Sequence, residues 1–494
     1  MHVLIFFIVV PVFISVLLPL LPRWGEKAVD ILVAAVSVIM FLASIAAFSY
    51  MSVRGPLIFD LGGFAAPLGI DLVLDGLSGL LLIVISLVTM MVVFFSVDYM
   101  KKFTAKARYY ALLMLLVSGV NGVVLSGDFF NMFIFLEVVA ISSYFLVAFG
   151  CGGDELEAAF KYMVQGTISS LFILLAIAFL YSLTGTLNMA HASAILKGAG
   201  ASPAASICLI LFLAGFSLKA ALVPFHGWLP DAHPSAPAPV SAMLSAVVIK
   251  SVGAYALVRT VFNVFGMTHE ISEVLLFLGA ASMIIGVLSA LGQWDLKRLL
   301  AYHSVSQMGY VIFGIALATP LGILGGLFHL FNHAVFKSLL FLDSGAVEYS
   351  VGTRNLKEMG GLKDPLPVTS LTTFLASLSI AGIPPLNGFW SKLMIIIAAV
   401  LSRRYAYAMI AVIASILTLS SFLKVIKYGF YGTARERAFL PKEVPTLMRA
   451  SMIGLAAICV LAGIFFPYVV TYLINPAVRV LLDGLHYSGF ILGG

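Results

Sequence analysis

Charge is what this chain has least of. Only 10% of its 494 residues are Asp, Glu, Lys or Arg, against about 25% in soluble proteins. Too few polar residues remain to cover a soluble globule of this length. The apolar share, 62%, excludes a disordered chain as well. Cysteine is nearly absent. Cys151, Cys208 and Cys459 are the only three, and none stands in a CxxC or Cys/His spacing. That argues against a haem, an iron–sulfur cluster or a structural zinc, so no cofactor or metal ion is expected. The longest polar stretches, 346–365 and 431–446, read as loops rather than a soluble domain. The first apolar segment, Val3 to Leu21, lacks a basic leader and a small-residue cleavage site. It reads as a spanning helix, not a removed signal peptide.

What the chain does have is long apolar runs, with a mean hydropathy of +1.10. The expectation is an all-α polytopic membrane protein in the cell inner (cytoplasmic) membrane. Its 38 Phe, 19 Met and 43 Gly suit helices packed in lipid, where Gly lets backbones approach. A spanning helix needs roughly 20 apolar residues. Fourteen stretches qualify: 2–21, 28–50, 74–97, 108–126, 129–150, 157–182, 204–228, 237–262, 271–293, 298–318, 321–345, 366–400, 405–430 and 447–474. The seventh is interrupted at Val223-Pro224-Phe225-His226-Gly227-Trp228, and the twelfth at Gly382-Ile383-Pro384-Pro385-Leu386-Asn387-Gly388.

The net charge of +6 reflects basic loops and implies no nucleic-acid partner. Loops after odd-numbered helices, with adjoining helix ends, hold 17 of the 28 Lys and Arg; they include Arg23, Lys106, Lys297, Arg354, Arg435 and Arg437. Loops after even-numbered helices and the tail hold six, Arg259 among them. The positive-inside rule makes the odd loops cytoplasmic and puts both termini on the outer face. Five remain, Lys161, Lys219, Lys250, Lys337 and Lys392, and all fall inside apolar stretches.

A Lys at mid-bilayer costs roughly 2.5–3.5 kcal/mol on insertion scales. Lys161 lies within snorkelling reach of the interface. Lys219 and Lys250 stand too deep for that and call for a partner, a wet cavity or an ion path. Glu137 is the only Glu in the middle of a span, and a nearby Lys would make its charge tolerable; Lys219 is the candidate. His329, His333 and Lys337 recur at i, i+4, i+8 and so share one helix face. Histidine titrates near neutral pH, so the row suits a proton relay. Interhelical hydrogen bonding is a second reading. A metal face would want a third acidic, His or Cys ligand, and Asp343 lies off that face. Gln165, Ser169, Ser245, His303, Ser306, Gln307 and Asn332 are further polar residues that could simply bridge helices. Asp75 and Asp128 head helices three and five and read as caps or interface residues. His226, Asp231 and His233 fall in the loop after helix seven, as a way in for protons or as a solvated turn.

The chain also resembles itself. Pro224-Phe-His-Gly227-Trp228 matches Pro385-Leu-Asn-Gly388-Phe389, and Ala158-Ala159-Phe160-Lys161 matches Ala334-Val335-Phe336-Lys337. The order is the same in both cases: helix six then seven, helix eleven then twelve. The two units lie five helices apart, and an odd number of spans inverts the topology. Inverted repeats with broken helices build mid-membrane ion paths in many transporters. Lys392 does not align with Lys219.

With these residues in view, the chain resembles the antiporter-like membrane family shared by respiratory complex I, Mrp-type cation/proton antiporters (like their D component) and membrane-bound hydrogenases. The resemblance covers about residues 70 to 430. It is carried by Asp75-Gly-Leu-Ser78, Glu137 with Ser143-Tyr144, Ala159-Phe-Lys161-Tyr162, Lys219 with Pro224, Pro230-Asp231-Ala-His233, Lys250, His329, His333, Lys337, and Gly382 to Lys392. It implies fourteen helices with helices 4–8 and 9–13 as inverted repeats. The expected units are 1–107, 108–262, 263–430 and 431–494. It implies that Glu137, Lys219, Lys250, the His329–His333–Lys337 row and Lys392 form a central hydrophilic axis for H+. The alternative is a Na+/H+ antiporter subunit of an Mrp-type complex. An autonomous solute transporter is disfavoured, because a run of titratable groups is no apolar substrate pocket. The chain has no catalytic site of its own on this reading. Redox chemistry would belong to other membrane subunits of the same complex. The chain ends about 20 residues after the last span, which favours the shorter members of the family.

Overall fold

The computed structural model describes residues 3–20, 25–200, 202–433 and 441–492. Among them, twelve helices are long and apolar enough to cross a membrane. The first six are α1 (Val3–Leu17), α2 (Glu26–Arg54), α3 (Gly76–Tyr99), α4 (Lys106–Leu125), α5 (Phe129–Val147) and α6 (Gly153–Thr184). A short helix α7 (Met189–Ala199) precedes two pieces, α8 (Pro203–Lys219) and α9 (Leu229–Ser235). Four long helices follow: α10 (Ala238–Phe265), α11 (His269–Leu291), α12 (Leu296–Ala316) and α13 (Pro320–Val351). Next come two half-length pieces, α14 (Pro367–Ala381) and α15 (Asn387–Leu401), then α16 (Tyr405–Tyr431) and α17 (Thr446–Ile464). A later helix, α18 (Asn475–Asp483), packs back on α3. The fourteen apolar stretches read from sequence fall on the twelve long helices and on the two interrupted pairs α8/α9 and α14/α15.

The interruptions lie close to where proline and glycine predicted them, with one shift. α8 already stops at Lys219, ahead of Val223. Backbone groups freed by the breaks find partners, as burial in a membrane requires. Trp228 Nε1 donates to Leu218 O at 3.1 Å, and Val223 N donates to Ser282 Oγ at 2.9 Å. At the second break Ser415 Oγ donates to Ala381 O at 2.8 Å. Gly388 is obligatory there, since a Cβ would stand 1.9 Å from Ser379 O.

Two elements depart from the all-α expectation or were unforeseen. Leu57–Asp60 and Asp71–Leu74 pair as an antiparallel hairpin, β1 and β2, between α2 and α3. Neither Leu57-Ile-Phe-Asp60 nor Asp71-Leu-Val-Leu74 alternates apolar with polar residues, so no strand signal stands in the sequence. α7 buries Met189, Ala190, Ala192 and Ser193 in a stretch that reads as a loop.

α10 is buried along its whole length, and α12 and α13 nearly so. The residues of the proposed axis on these helices therefore lie in the interior. Asp75 and Asp128 cap α3 and α5 as expected: Asp75 Oδ1 accepts from Leu77 N and Ser78 N, and Asp128 Oδ1 from Asn131 N.

Several charges sit differently from the sequence reading. Lys161 is not in the apolar interior. Its side chain is 47% exposed, pairing with Glu157 at 2.7 Å and Asp231 at 3.2 Å. Conversely, three cations counted as loop charges are buried. Lys106 pairs with Asp30 at 2.7 Å. Lys297 donates to Ala236 O at 2.9 Å and faces Glu348 at 3.5 Å. Arg259 pairs with Asp75 at 2.7 Å. Arg23, Arg435 and Arg437 lie outside the described residues.

Surface pairs between long side chains are worth about 0–1 kcal/mol. Lys161→Ala is therefore expected to leave ion movement by the assembled protein within about twofold of wild type. A tenfold loss in a vesicle transport assay would instead bring Lys161 into the path.

Candidate functional site

Lys219 is the last residue of α8. The dipole of a helix favours a cation at that end. Ser170 of α6 links it to Glu137 of α5. The Lys219 ammonium donates to Ser170 Oγ at 3.0 Å, and the Ser170 hydroxyl donates to Glu137 Oε1. The pairing read from sequence is thus mediated by a serine rather than direct. Glu137 is half-buried, on a stripe of α5 whose neighbours Ile134 and Ile141 are 46% and 51% exposed. The carboxylate lies at the protein's edge while the lysine points inward. A small cavity beside Lys219 is walled by Tyr144, Tyr162 and Trp228, and by Val248 and Val252 of α10.

α10 is wound as a π-helix over Leu244–Tyr255. Such i→i+5 segments are rare and cluster at functional sites. Lys250 lies in the middle of this one, fully buried, with Nζ donating to Ser245 O at 2.6 Å. Ser245 Oγ meets Ser304 Oγ of α12 at 2.8 Å. Ser304 Oγ donates to Leu300 O at 3.2 Å, and the same carbonyl accepts from Lys337 Nζ of α13 at 2.5 Å. Each of these buried lysines donates to a backbone carbonyl, Ser245 O or Leu300 O, and the two serine hydroxyls tie together the helices that carry those carbonyls.

His333 and His329 continue from Lys337 along α13. Their rings are 6.3 Å apart and nearly parallel. His329 Nε2 bonds Gln307 Oε1 at 3.1 Å, and Nδ1 bonds Ser391 Oγ at 2.9 Å. Both His333 nitrogens lack a partner among the described residues. Tyr310 of α12 stands between the row and the last lysine: its ring is 5.5 Å from that of His329 and 4.7 Å from Lys392 Nζ. Lys392, on α15, reaches back across the break. It donates to Ile380 O at 2.7 Å and to Ser415 Oγ at 3.4 Å. Ile380 is in the last turn of α14, so this ammonium also rests at the C-terminus of a half-helix.

His226 stays in the turn between α8 and α9, but the loop reading of Asp231 and His233 needs correction. Asp231 and His233 belong to α9. His233 is fully buried and stacks on Phe341 at 4.9 Å, with neither ring nitrogen bonded among the described residues. Asp231 opens into a cleft of about 360 Å³ shared with Lys161, Arg298 and Arg354.

Ser170, Ser304, Tyr310, Ser391 and Ser415 were not singled out in the sequence. Serine is common in spanning helices, and only the facing helix reveals which one bridges charges. Ser170 and Ser304 do share a signal, since each is a buried hydroxyl on a helix beside a buried lysine.

Known proteins carry the same arrangement of helices. Residues 126–418 match the family described as NADH:quinone oxidoreductase/Mrp antiporter, TM, and residues 59–110 match NADH-Ubiquinone oxidoreductase (complex I), chain 5 N-terminus. The chain belongs to this family. Among relatives of this proton-antiporter family, the D component of the Na(+)/H(+) antiporter of Alkalihalophilus pseudofirmus is 36% identical, covering 78% of each chain. The N component of the NADH-quinone oxidoreductase of Desulforudis audaxviator is 33% identical over 96% of this chain and 98% of its own. A chain of the Mrp complex from Dietzia sp. superposes with a TM-score of 0.92 at 29% identity, covering 100% of this chain and 99% of that one. A chain of the archaeal membrane-bound sulfane sulfur reductase gives the same TM-score and identity, covering 100% of both.

Proposed function

We propose that this family member is a proton-translocating, antiporter-like subunit of a larger membrane complex. The carrying observation is the run of ionisable groups through the interior: Glu137 joined through Ser170 to Lys219, then the buried Lys250, Lys337, His333, His329 and Lys392 on neighbouring helices. Relatives named as components of antiporters and of NADH-quinone oxidoreductase support it. In this reading α8/α9 and α14/α15 each count as one span, giving fourteen, with both termini on the outer face. Spans 4–8 and 9–13 are inverted repeats. The equal length of α6 and α13, 32 residues each beside a broken helix, favours that.

A charge change in a neighbouring subunit acts first on Glu137, which lies at the edge. Once that carboxylate is neutralised or turned away, the buried Lys219 ammonium is left without its counter-charge, a costly state. Its proton moves past Val248 and Val252 to Lys250. From there it passes to Lys337, and along the histidine row to Lys392 and out. His233, between the cytoplasmic cleft and Phe341, supplies the way in.

Replacing Ser304 with alanine removes the Ser245–Ser304 tie between the helices next to Lys250 and Lys337. Proton movement should slow about five- to tenfold, the worth of one buried hydrogen bond, with Ser304→Thr restoring it. Equal rates in Ser304→Ala would mean that this tie does not position the two lysines.

The second reading is Na+/H+ exchange, favoured by the relatives named as D components of Na(+)/H(+) antiporters. The same axis then carries the proton of the exchange. Vesicles holding the whole complex decide: a pH change driven by added Na+ supports exchange, and proton movement indifferent to Na+ supports the first reading.

A further inference from the structure

A groove of about 400 Å³ follows the exposed face of α14, away from the titratable axis. Its wall is a single helix face: Pro367, Ser370, Leu371 and Phe374 recur at i, i+3, i+4 and i+7. Lys363 and Asp364, in the loop ahead of α14, line its head, and Tyr431 of α16 lines it too.

The polar groups at the head are held in place but unpaired. Lys363 N donates to Phe430 O at 3.1 Å, which ties the loop to the end of α16. The Lys363 ammonium lies over the Tyr431 ring at 5.1 Å. Among the described residues it has no carboxylate partner, and Asp364 has no cation partner. Leu366, the N-cap of α14, offers no side-chain oxygen, so the N–H groups of Val368 and Thr369 also lack a partner among the described residues. Ser370 is 5% exposed and lines the groove, yet its hydroxyl makes no hydrogen bond among the described residues. A buried hydroxyl left unbonded by the protein calls for a partner from outside.

Further along the same face the surface turns apolar. Leu371 is 59% exposed and Phe374 36%, and Phe374 lies about 10 Å from Pro367 along the helix axis. Charges and free N–H groups at the helix end, followed by apolar side chains, reproduce the polarity order of a phospholipid entering a bilayer. The two head charges have opposite signs, so a purely anionic headgroup would meet Asp364. A phosphate suits Lys363, Ser370 and the helix N-terminus. A primary ammonium donates hydrogen bonds to a carboxylate, which a choline headgroup cannot do. We propose that this groove holds one phosphatidylethanolamine molecule, its phosphate on Lys363, Ser370 and the start of α14, its ammonium on Asp364, and an acyl chain along Leu371 and Phe374. Lipid binding here does not depend on the axis moving protons, and it is read without any transport.

A photo-reactive side chain at the groove tests this. Intact complex carrying Leu371→p-benzoylphenylalanine is placed in vesicles of equimolar phosphatidylethanolamine, phosphatidylglycerol and phosphatidylcholine, and mass spectrometry reads the lipid attached after irradiation. Phosphatidylethanolamine is expected about tenfold over either competitor, the scale of one charge-assisted hydrogen bond. Adding Asp364→Lys should turn the preference to phosphatidylglycerol. Adding Lys363→Ala and Ser370→Ala should bring the three lipids to equal yield. Equal yields without those changes overturn the proposal, as does a crosslink to a neighbouring subunit in place of lipid. Co-purified lipid decides without the label: wild-type complex should keep one phosphatidylethanolamine more than the Lys363→Ala/Ser370→Ala variant, and equal counts overturn the site.

Discussion

Lys219→Ala in the assembled complex is expected to lower coupled ion movement on the order of 100-fold or more, the scale for removing a group that accepts and passes on a proton. Assembly should survive. Lys219 sits at the end of α8 beside a small cavity, so a shortened side chain meets space rather than a clash. Its partner also keeps a donor, because the Ser170 hydroxyl still reaches Glu137. Glu137→Gln should give a similar loss, since the amide keeps the shape and removes the charge. Lys219→Arg tests position against charge: it keeps a cation but not a proton that leaves readily. Vesicles loaded with a pH-sensitive dye read all three. Unchanged proton movement in either Lys219→Ala or Glu137→Gln would sink the mechanism.

Gly253→Val is expected to have the largest effect on assembly. Gly253 lies in the π-helical part of α10, against the first residue after Lys219. A Cβ there would stand 2.4 Å from Ala220 Cα and 2.5 Å from Ala220 N. Backbone cannot swing aside as a side chain does. Overpacking of this kind costs about 3 kcal/mol or more, so the yield of intact complex should collapse on size-exclusion chromatography. The milder Gly253→Ala meets the same atoms with one methyl. It should assemble in part but displace the break beside Lys219, so that ion movement falls further than yield does. Normal yield and rate in Gly253→Val would mean that the two backbones are not held this close.

The sequence was most legible where physics is local. Apolar runs, Pro-Gly interruptions and capping acids each act over a few residues, and the structure follows them at α3, α5 and both breaks. Buried lysines were legible because they are costly wherever the fold puts them. Lys250, Lys337 and Lys392 stood out on that ground alone. Lys106, Arg259 and Lys297 did not. They lie near helix ends, where sequence cannot tell a solvated loop from a pocket beneath a neighbouring helix. Lys161, within an apolar stretch but in snorkelling reach of the interface, has its ammonium at the surface.

The lysines of the two broken helices show the limit best. Lys219 and Lys392 do not align when the half-helices are matched by sequence. One ends its half-helix and the other follows the break, yet Lys392 Nζ returns to Ile380 O. Each thus serves the C-terminal end of a half-helix, where the dipole is negative. A comparison of linear order misses an equivalence made by a side chain folding back.

By itself, then, the scarcity of charge determined that this is a chain of apolar helices and that a handful of ionisable residues must face one another or an ion. Which of them meet was decided by tertiary structure alone. Ser170 between Glu137 and Lys219 and the Ser245–Ser304 link on the helices of Lys250 and Lys337 each join side chains of different helices. The need for a partner is a property of the single residue, whereas its supply depends on which helix packs alongside.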